Sequence, residues 1–101
     1  MWLFVIFDLP VKTKLQRKRA ADFRKKLVKK GFIMLQYSVY IRHHPSRENA
    51  EVYKNYVREI VPSKGCVNML LVTDKQFGLM ENFISGKKEP PPKNPEQLML
   101  F

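Results

Sequence analysis

Six apolar side chains in a row, Trp2-Leu3-Phe4-Val5-Ile6-Phe7, followed by Asp8-Leu9-Pro10, constrain this chain more than any other stretch. A half-exposed strand alternates apolar with polar residues. This run does not alternate, and its aromatic and β-branched members suit a strand covered on both faces. It reads as the central strand of a sheet. Pro10 has no amide proton to donate and closes the ladder. Asp8 is left at the carboxyl end of the strand, where open sheets present ligands. The most rigid part of the fold thus holds one carboxylate at a defined point.

The chain has 101 residues, enough for one small domain with one core, and that size favours oligomerisation. A hydrophobic fraction of 45% rules out a disordered chain. The apolar runs are far shorter than the roughly 20 residues a membrane-crossing helix needs, so no membrane role is expected. No leader pattern precedes the first strand, and the expected location is the cytoplasm. A single cysteine, Cys66, allows neither an internal disulfide nor a multi-cysteine metal site, and it reads as a small buried hydrophobe. Charge says more: 19 Lys and Arg against 9 Asp and Glu give a net charge of +10. Such a field attracts polyanions, nucleic acid first, because each neutralised phosphate releases counterions without any readout of sequence. An anionic membrane surface would also want an exposed apolar face on the basic helix.

After Pro10, Thr13-Lys14-Leu15-Gln16 has the pattern of a capping box and predicts a helix to about Lys30, ended by Gly31. Leu15, Ala20, Phe23, Leu27 and Val28 form its apolar stripe. The rest is almost wholly basic, with Asp22 the lone acid. Lys14, Arg17, Lys18, Arg24 and Lys25 are the candidate phosphate contacts, since uncompensated cations at i,i+3 and i,i+4 spacing cost helix stability and ask for a reason. Residues 32–41 are extended, either one long bent strand or two short ones meeting near Gln36 to Ser38. Ile33, Leu35, Tyr37, Val39 and Ile41 are expected inside. Gln36, Ser38 and Tyr40 read as outer polar positions or as hydrogen-bonding groups for a partner.

His43 and His44 are expected at the surface, because adjacent strand residues point to opposite faces and no carboxylate neighbours them in sequence. Ser46 is a candidate N-cap for a second helix with Ala50, Tyr53, Val57, Ile60 and Val61 on its inner face, ended by Pro62. Cys66 to Thr73 is a further strand. Asp74 is expected to cap a short helical turn, with a second acidic ligand as the alternative. Phe77, Leu79, Met80, Phe83 and Ile84 read as a loosely helical apolar patch. The triple proline at 90–92 marks a semi-rigid linker. The chain divides into a domain over residues 1–86 and a linker with an edge-strand tail over 87–101. In that tail Leu98, Leu100 and Phe101 are candidate interface residues suited to joining a sheet edge.

The order strand, helix, one or two strands, helix, strand fits an α+β sandwich of the ferredoxin-like kind, with two helices on one face of an antiparallel sheet. Its other face is expected to pack on a second copy, giving a two-fold homodimer. The stretches Val5-Ile6-Phe7-Asp8-Leu9-Pro10, Gly31-Phe32, Leu35-Gln36-Tyr37-Ser38-Val39-Tyr40 and Thr73-Asp74-Lys75-Gln76-Phe77 together resemble the CRISPR-associated protein 2 family, in its type II form.

That resemblance implies a dimer that bridges copies of the CRISPR-associated protein 1 integrase and holds duplex DNA for integration into the repeat array. It also implies metal-dependent endonuclease activity on RNA or DNA. The family's strand-end acid falls on Asp8, which would be both the catalytic residue and the metal ligand. Two copies of Asp8 would share Mg2+ or another divalent cation across the dimer axis. The residues themselves are more reserved, because one carboxylate per chain leaves most of a hard cation's ligands to water and phosphate. Asp8 also suits a strand-end acid accepting backbone amides. A non-catalytic nucleic-acid-binding dimer and a ferredoxin-like regulator stay open as alternatives.

Overall fold

A computed structural model describes residues 1–91, so Leu98, Leu100 and Phe101 lie outside the described residues. The elements are β1 (Trp2–Asp8), α1 (Lys14–Lys29), β2 (Ile33–Gln36), β3 (Val39–His43), α2 (Arg47–Ile60), β4 (Cys66–Val72), α3 (Asp74–Gly78), β5 (Asn82–Ile84) and β6 (Lys87–Glu89). Four strands form one sheet in the order β2-β3-β1-β4, antiparallel at every pairing. This is the ferredoxin-like α+β arrangement, with β1 central as its unbroken apolar run requires.

Local chemistry sets the helix ends. Thr13 caps α1 in a reciprocal capping box with Gln16. At the other end Gly31, at φ +88°, closes a Schellman motif in which Phe32 N–H donates to Leu27 O and Gly31 N–H to Val28 O. Ser46 caps α2 by accepting from the Asn49 amide. Phe23 and Leu27 of α1 and Val57 of α2 bury against Leu3, Val5 and Phe7 of β1 and form the main core. Leu15 and Val28, expected in the α1 stripe, are instead exposed, because the buried face narrows to Ala20, Phe23 and Leu27.

Residues 32–43 resolve into two strands joined by a tight turn at Tyr37 and Ser38, with a register shift between Met34 and Gln36. Tertiary bonds supply what the missing Gly or Pro does not: Phe7 N–H donates to Ser38 O at 3.0 Å, and Arg24 Nε to Tyr37 O at 3.4 Å. The shift turns Tyr37 outward, whereas Phe32 and Tyr40 enter the main core.

The sheet's second face is covered only at one end. α3 folds back there, and Phe77 stacks on Trp2 at 4.2 Å between ring centroids. Towards the other end Ile6 and Leu70 remain 36% and 53% exposed. Cys66, expected to be buried, is exposed because it opens β4 on this uncovered side, where β4 alternates strictly outward and inward. Phe83 and Ile84 are strand residues of a separate β5–β6 hairpin rather than part of a helical patch, and they are exposed, as is Leu79. The second strand of the hairpin, Lys87–Glu89, pairs with Asn82–Ile84.

The histidines also depart from expectation. His44 is fully buried, with Nδ1 at 2.7 Å from Asn49 Oδ1 and 3.1 Å from an Arg42 guanidinium nitrogen. Arg42 further donates to Lys30 O and to the Tyr53 hydroxyl, each at 3.0 Å, tying the end of α1 to β3 and α2. Half-buried His43 lies 3.1 Å from Asp74, a carboxylate distant in sequence. Asp74 is not the cap of α3. Thr73 is, and Asp74 instead accepts from the Met1 amine at 2.7 Å.

Burial holds the His44 pKa below its ordinary 6.5, opposed by the bond to Asn49 and reinforced by Arg42. The unfolded chain therefore takes up a proton before the folded one does. The resulting stability is complete above about pH 6.5 and is lost as pH falls towards the lowered native value. Asp74, lowered from 3.8 chiefly by the Met1 amine, contributes above that value and loses its contribution only below it. Urea midpoints should fall on acidification from about pH 7 to about pH 5, and His44→Gln should flatten that limb. An unchanged limb in the variant would assign the acid sensitivity elsewhere.

Candidate nucleic-acid and metal site

Asp8 ends β1, and its carbonyl is approached by Gly65, where an added Cβ would lie 2.6 Å from Asp8 O and 2.9 Å from Leu9 Cδ2. Gly65 also holds φ +92°, so both the backbone angle and the contact demand glycine. This close approach seats Asp8 opposite Cys66 in the β1–β4 register. By strand alternation Phe7 faces the helices, and Asp8 faces the uncovered side with Ile6. The Asp8 side lies over a shallow depression lined by Pro10, Gln16, Lys64 and Gly65 as well as Asp8.

Asp8 is exposed, and the ion pairs of the described residues involve Asp74 and Glu51 but not Asp8. Its oxygens suit a hard cation. Among the described residues, however, no group of three or more His, Cys, Asp or Glu comes together to hold a metal. Asp74 cannot supply a second carboxylate within one chain. It follows β4 at the Trp2 end of the sheet, roughly 20 Å from Asp8 along a seven-residue strand.

The five cations singled out on α1 separate into two groups. Lys14, Lys18 and Lys25 are exposed and, with Lys29, fall within about 60° of one another around the helix, opposite its buried face. Arg17 and Arg24 lie on a flank and bind backbone. Arg17 donates to Val11 O and Lys12 O, each at 3.2 Å. Arg24 donates to Tyr37 O, and its guanidinium sits 4.1 Å above the Tyr37 ring. The lysines form an open basic track, and the two arginines bond the loops beside it.

Sequence reasoning missed Gly65, the Arg24–Tyr37 stack and the pairing of Cys66 with Asp8. Ser63-Lys64-Gly65 has the composition of a turn, which marks the glycine but not what it touches. The stack carries no local signature, because 13 residues separate its members.

A ferredoxin-like domain with a strand-end carboxylate and a lysine track on its first helix is the class that fold and site define. The family model described as CRISPR associated protein Cas2 matches residues 1–80. A protein of Flavobacterium psychrophilum named CRISPR-associated endoribonuclease Cas2 is 48% identical over all of this chain and 88% of its own length. One of the same name from Parvibaculum lavamentivorans is 46% identical over the full length of both, and one from Ligilactobacillus salivarius is 47% identical over 87% of this chain and 86% of its own. The chain belongs to the CRISPR-associated protein Cas2 family. No helix among the described residues is long and apolar enough to cross a membrane.

Gly65→Ala should cost about 2 kcal/mol or more, combining a strained positive φ with the clash at Asp8. Hydrogen exchange should show the Asp8–Cys66 end of the ladder opening first. Gly86 shares the positive φ, at +79°, but has nothing within 4 Å of an added Cβ. A loss for Gly65→Ala no larger than for Gly86→Ala would remove the contact from the account.

Proposed function

We propose that the protein is a CRISPR adaptation protein. As a two-fold homodimer it joins the CRISPR-associated protein 1 integrase in the cytoplasm, holds a duplex DNA fragment and supports its integration as a spacer. The observation that carries this reading is the lysine track of Lys14, Lys18 and Lys25 in a chain of the Cas2 family. It is a phosphate surface that needs no base readout. Arg17 and Arg24 flank the track and hold its edges in place.

The half-covered sheet face around Ile6 and Leu70 is the surface that a second copy would bury, bringing two Asp8 carboxylates together. Paired in this way, Asp8 and the partner's Asp8 would hold Mg2+, with water and phosphate oxygens completing about six ligands. Magnesium bound there supplies Lewis-acid polarisation of a phosphoryl oxygen and a more acidic water, the chemistry of an endonuclease acting on RNA or DNA. Asp8 positions these groups, and the Gly65 contact keeps it in place. Two carboxylates brought together repel each other, so the paired site should depend on the cation. Residues 98–101, with Leu98, Leu100 and Phe101, would add an edge strand to the partner subunit or dock on the integrase.

The test is co-purification with the integrase followed by a spacer-integration assay. If about 5 phosphates are contacted per protomer, log K should fall with log salt at about −4.5 per protomer. Lys14→Gln, Lys18→Gln and Lys25→Gln should each flatten that slope by roughly 0.9. Asp8→Asn should abolish metal-dependent cleavage and leave duplex binding intact. Cleavage that persists in repurified Asp8→Asn protein would move the nuclease elsewhere, and an unchanged salt slope would remove α1 from the interface. Removing residues 96–101 should weaken the dimer or the integrase complex. If sedimentation and co-purification are both unchanged, the tail has no such role.

A further inference from the structure

Tyr37 is 68% exposed at the two-residue turn that joins β2 to β3. No core claims the ring. It is nevertheless held in a fixed orientation. The Arg24 guanidinium lies 4.1 Å above it and Arg24 Nε donates to the Tyr37 carbonyl at 3.4 Å. Arg24 is itself backed by the Phe7 ring at 5.5 Å, and the turn is pinned where Phe7 N–H donates to Ser38 O at 3.0 Å. One face of the tyrosine is thus occupied by a cation, and the ring remains largely open to solvent. The turn stands at the same end of the sheet as Asp8, one residue beyond Phe7.

We propose that Tyr37 is a stacking platform for an unpaired nucleobase, which it presents at the Asp8 end of the sheet. This rests on the reading that the protein binds nucleic acid, and goes beyond it by separating a base-binding position from the phosphate track. Every base has a π-face, so such a platform tolerates any sequence. A ring already fixed by Arg24 loses little freedom on binding. Bases inside a duplex are stacked on their neighbours and offer the ring no face, so the platform selects single-stranded segments. The base face is common to RNA and DNA, and both are therefore tested.

The probe is an octanucleotide of uridine with a central 2-aminopurine, whose fluorescence is quenched on stacking, together with its deoxy counterpart and a long, fully paired duplex. Tyr37→Phe should bind and quench like the parent protein. Tyr37→Ala should bind the single strands about tenfold more weakly and lose the quenching, with the salt slope unchanged because no phosphate contact is removed. Duplex binding should be unaffected. Equal quenching and affinity in Tyr37→Ala would overturn the proposal. So would a loss accompanied by a flatter salt slope, which would mean displaced cations, or by a shift in sedimentation, which would mean a dimer contact. Thermal melting of each variant confirms that the turn still folds. If the parent protein binds none of the three probes, the nucleic-acid reading itself fails. If it binds all three regardless of Tyr37, only the stacking platform does.

Discussion

The pairing of β1 along both of its edges is the constraint on which the rest of the structure depends. β1 takes partners from Trp2 to Asp8 on the β4 side and from Trp2 to Ile6 on the β3 side, leaving its backbone groups little freedom. Alternation then divides its side chains: Leu3, Val5 and Phe7 go to the helices, and Trp2, Phe4, Ile6 and Asp8 to the other face. Slipping the register by one residue would exchange the two sets and bury Asp8 under α1. The position of the carboxylate is therefore enforced by the whole apolar strand rather than by bonds of its own.

Arginine and lysine play different parts around this frame. Arg42 meets Lys30 O, the Tyr53 hydroxyl and the face of the Tyr53 ring at 3.8 Å, and Arg24 meets Tyr37 in the same double manner. A planar fork that can donate and stack at once suits such joints. The lysines of α1 have no comparable geometry and extend into solvent. A net charge of +10 therefore overstates the number of cations free to meet phosphate, since part of it is committed to holding loops and elements together.

What was legible in the sequence was whatever is decided within a few residues. The capping boxes of Thr13 with Gln16 and of Thr73 with Gln76, the Gly31 stop and the central position of β1 all rest on local chemistry. The misplaced residues were decided by how whole elements pack against one another. His44 is buried because Arg42, Asn49 and Tyr53 close around it, whereas no residue next to it in sequence announces this. Cys66 follows the usual burial of free thiols only if both faces of the sheet are covered, and α3 covers the second face at the Trp2 end alone. Unbroken alternation points Tyr37 inward, and a register shift that no residue type marks precedes the turn where it is exposed. The exposed strand-end position of Asp8 was legible because the length of the apolar run before it decides that position.

The two parts of the candidate site lie on opposite sides of the sandwich. The track of Lys14, Lys18 and Lys25 points away from the sheet, because it is opposite the face that α1 buries, whereas Asp8 points away from the helices. They come nearest at the Lys14 end of the track, where Gln16 in the first turn of α1 lines the same depression as Asp8, and they diverge towards Lys25. A strand lying along the lysines would reach Asp8 by turning around the end of the sheet beside Gln16, Lys64 and Gly65. A duplex is too stiff to make so sharp a turn without a large bending cost, but a single strand is not. The proposed duplex grip and the proposed metal chemistry at Asp8 therefore call on differently facing surfaces of one protomer. A flexible single-stranded segment, or a second copy that sets its own lysines beside this Asp8, would bring both onto one nucleic acid.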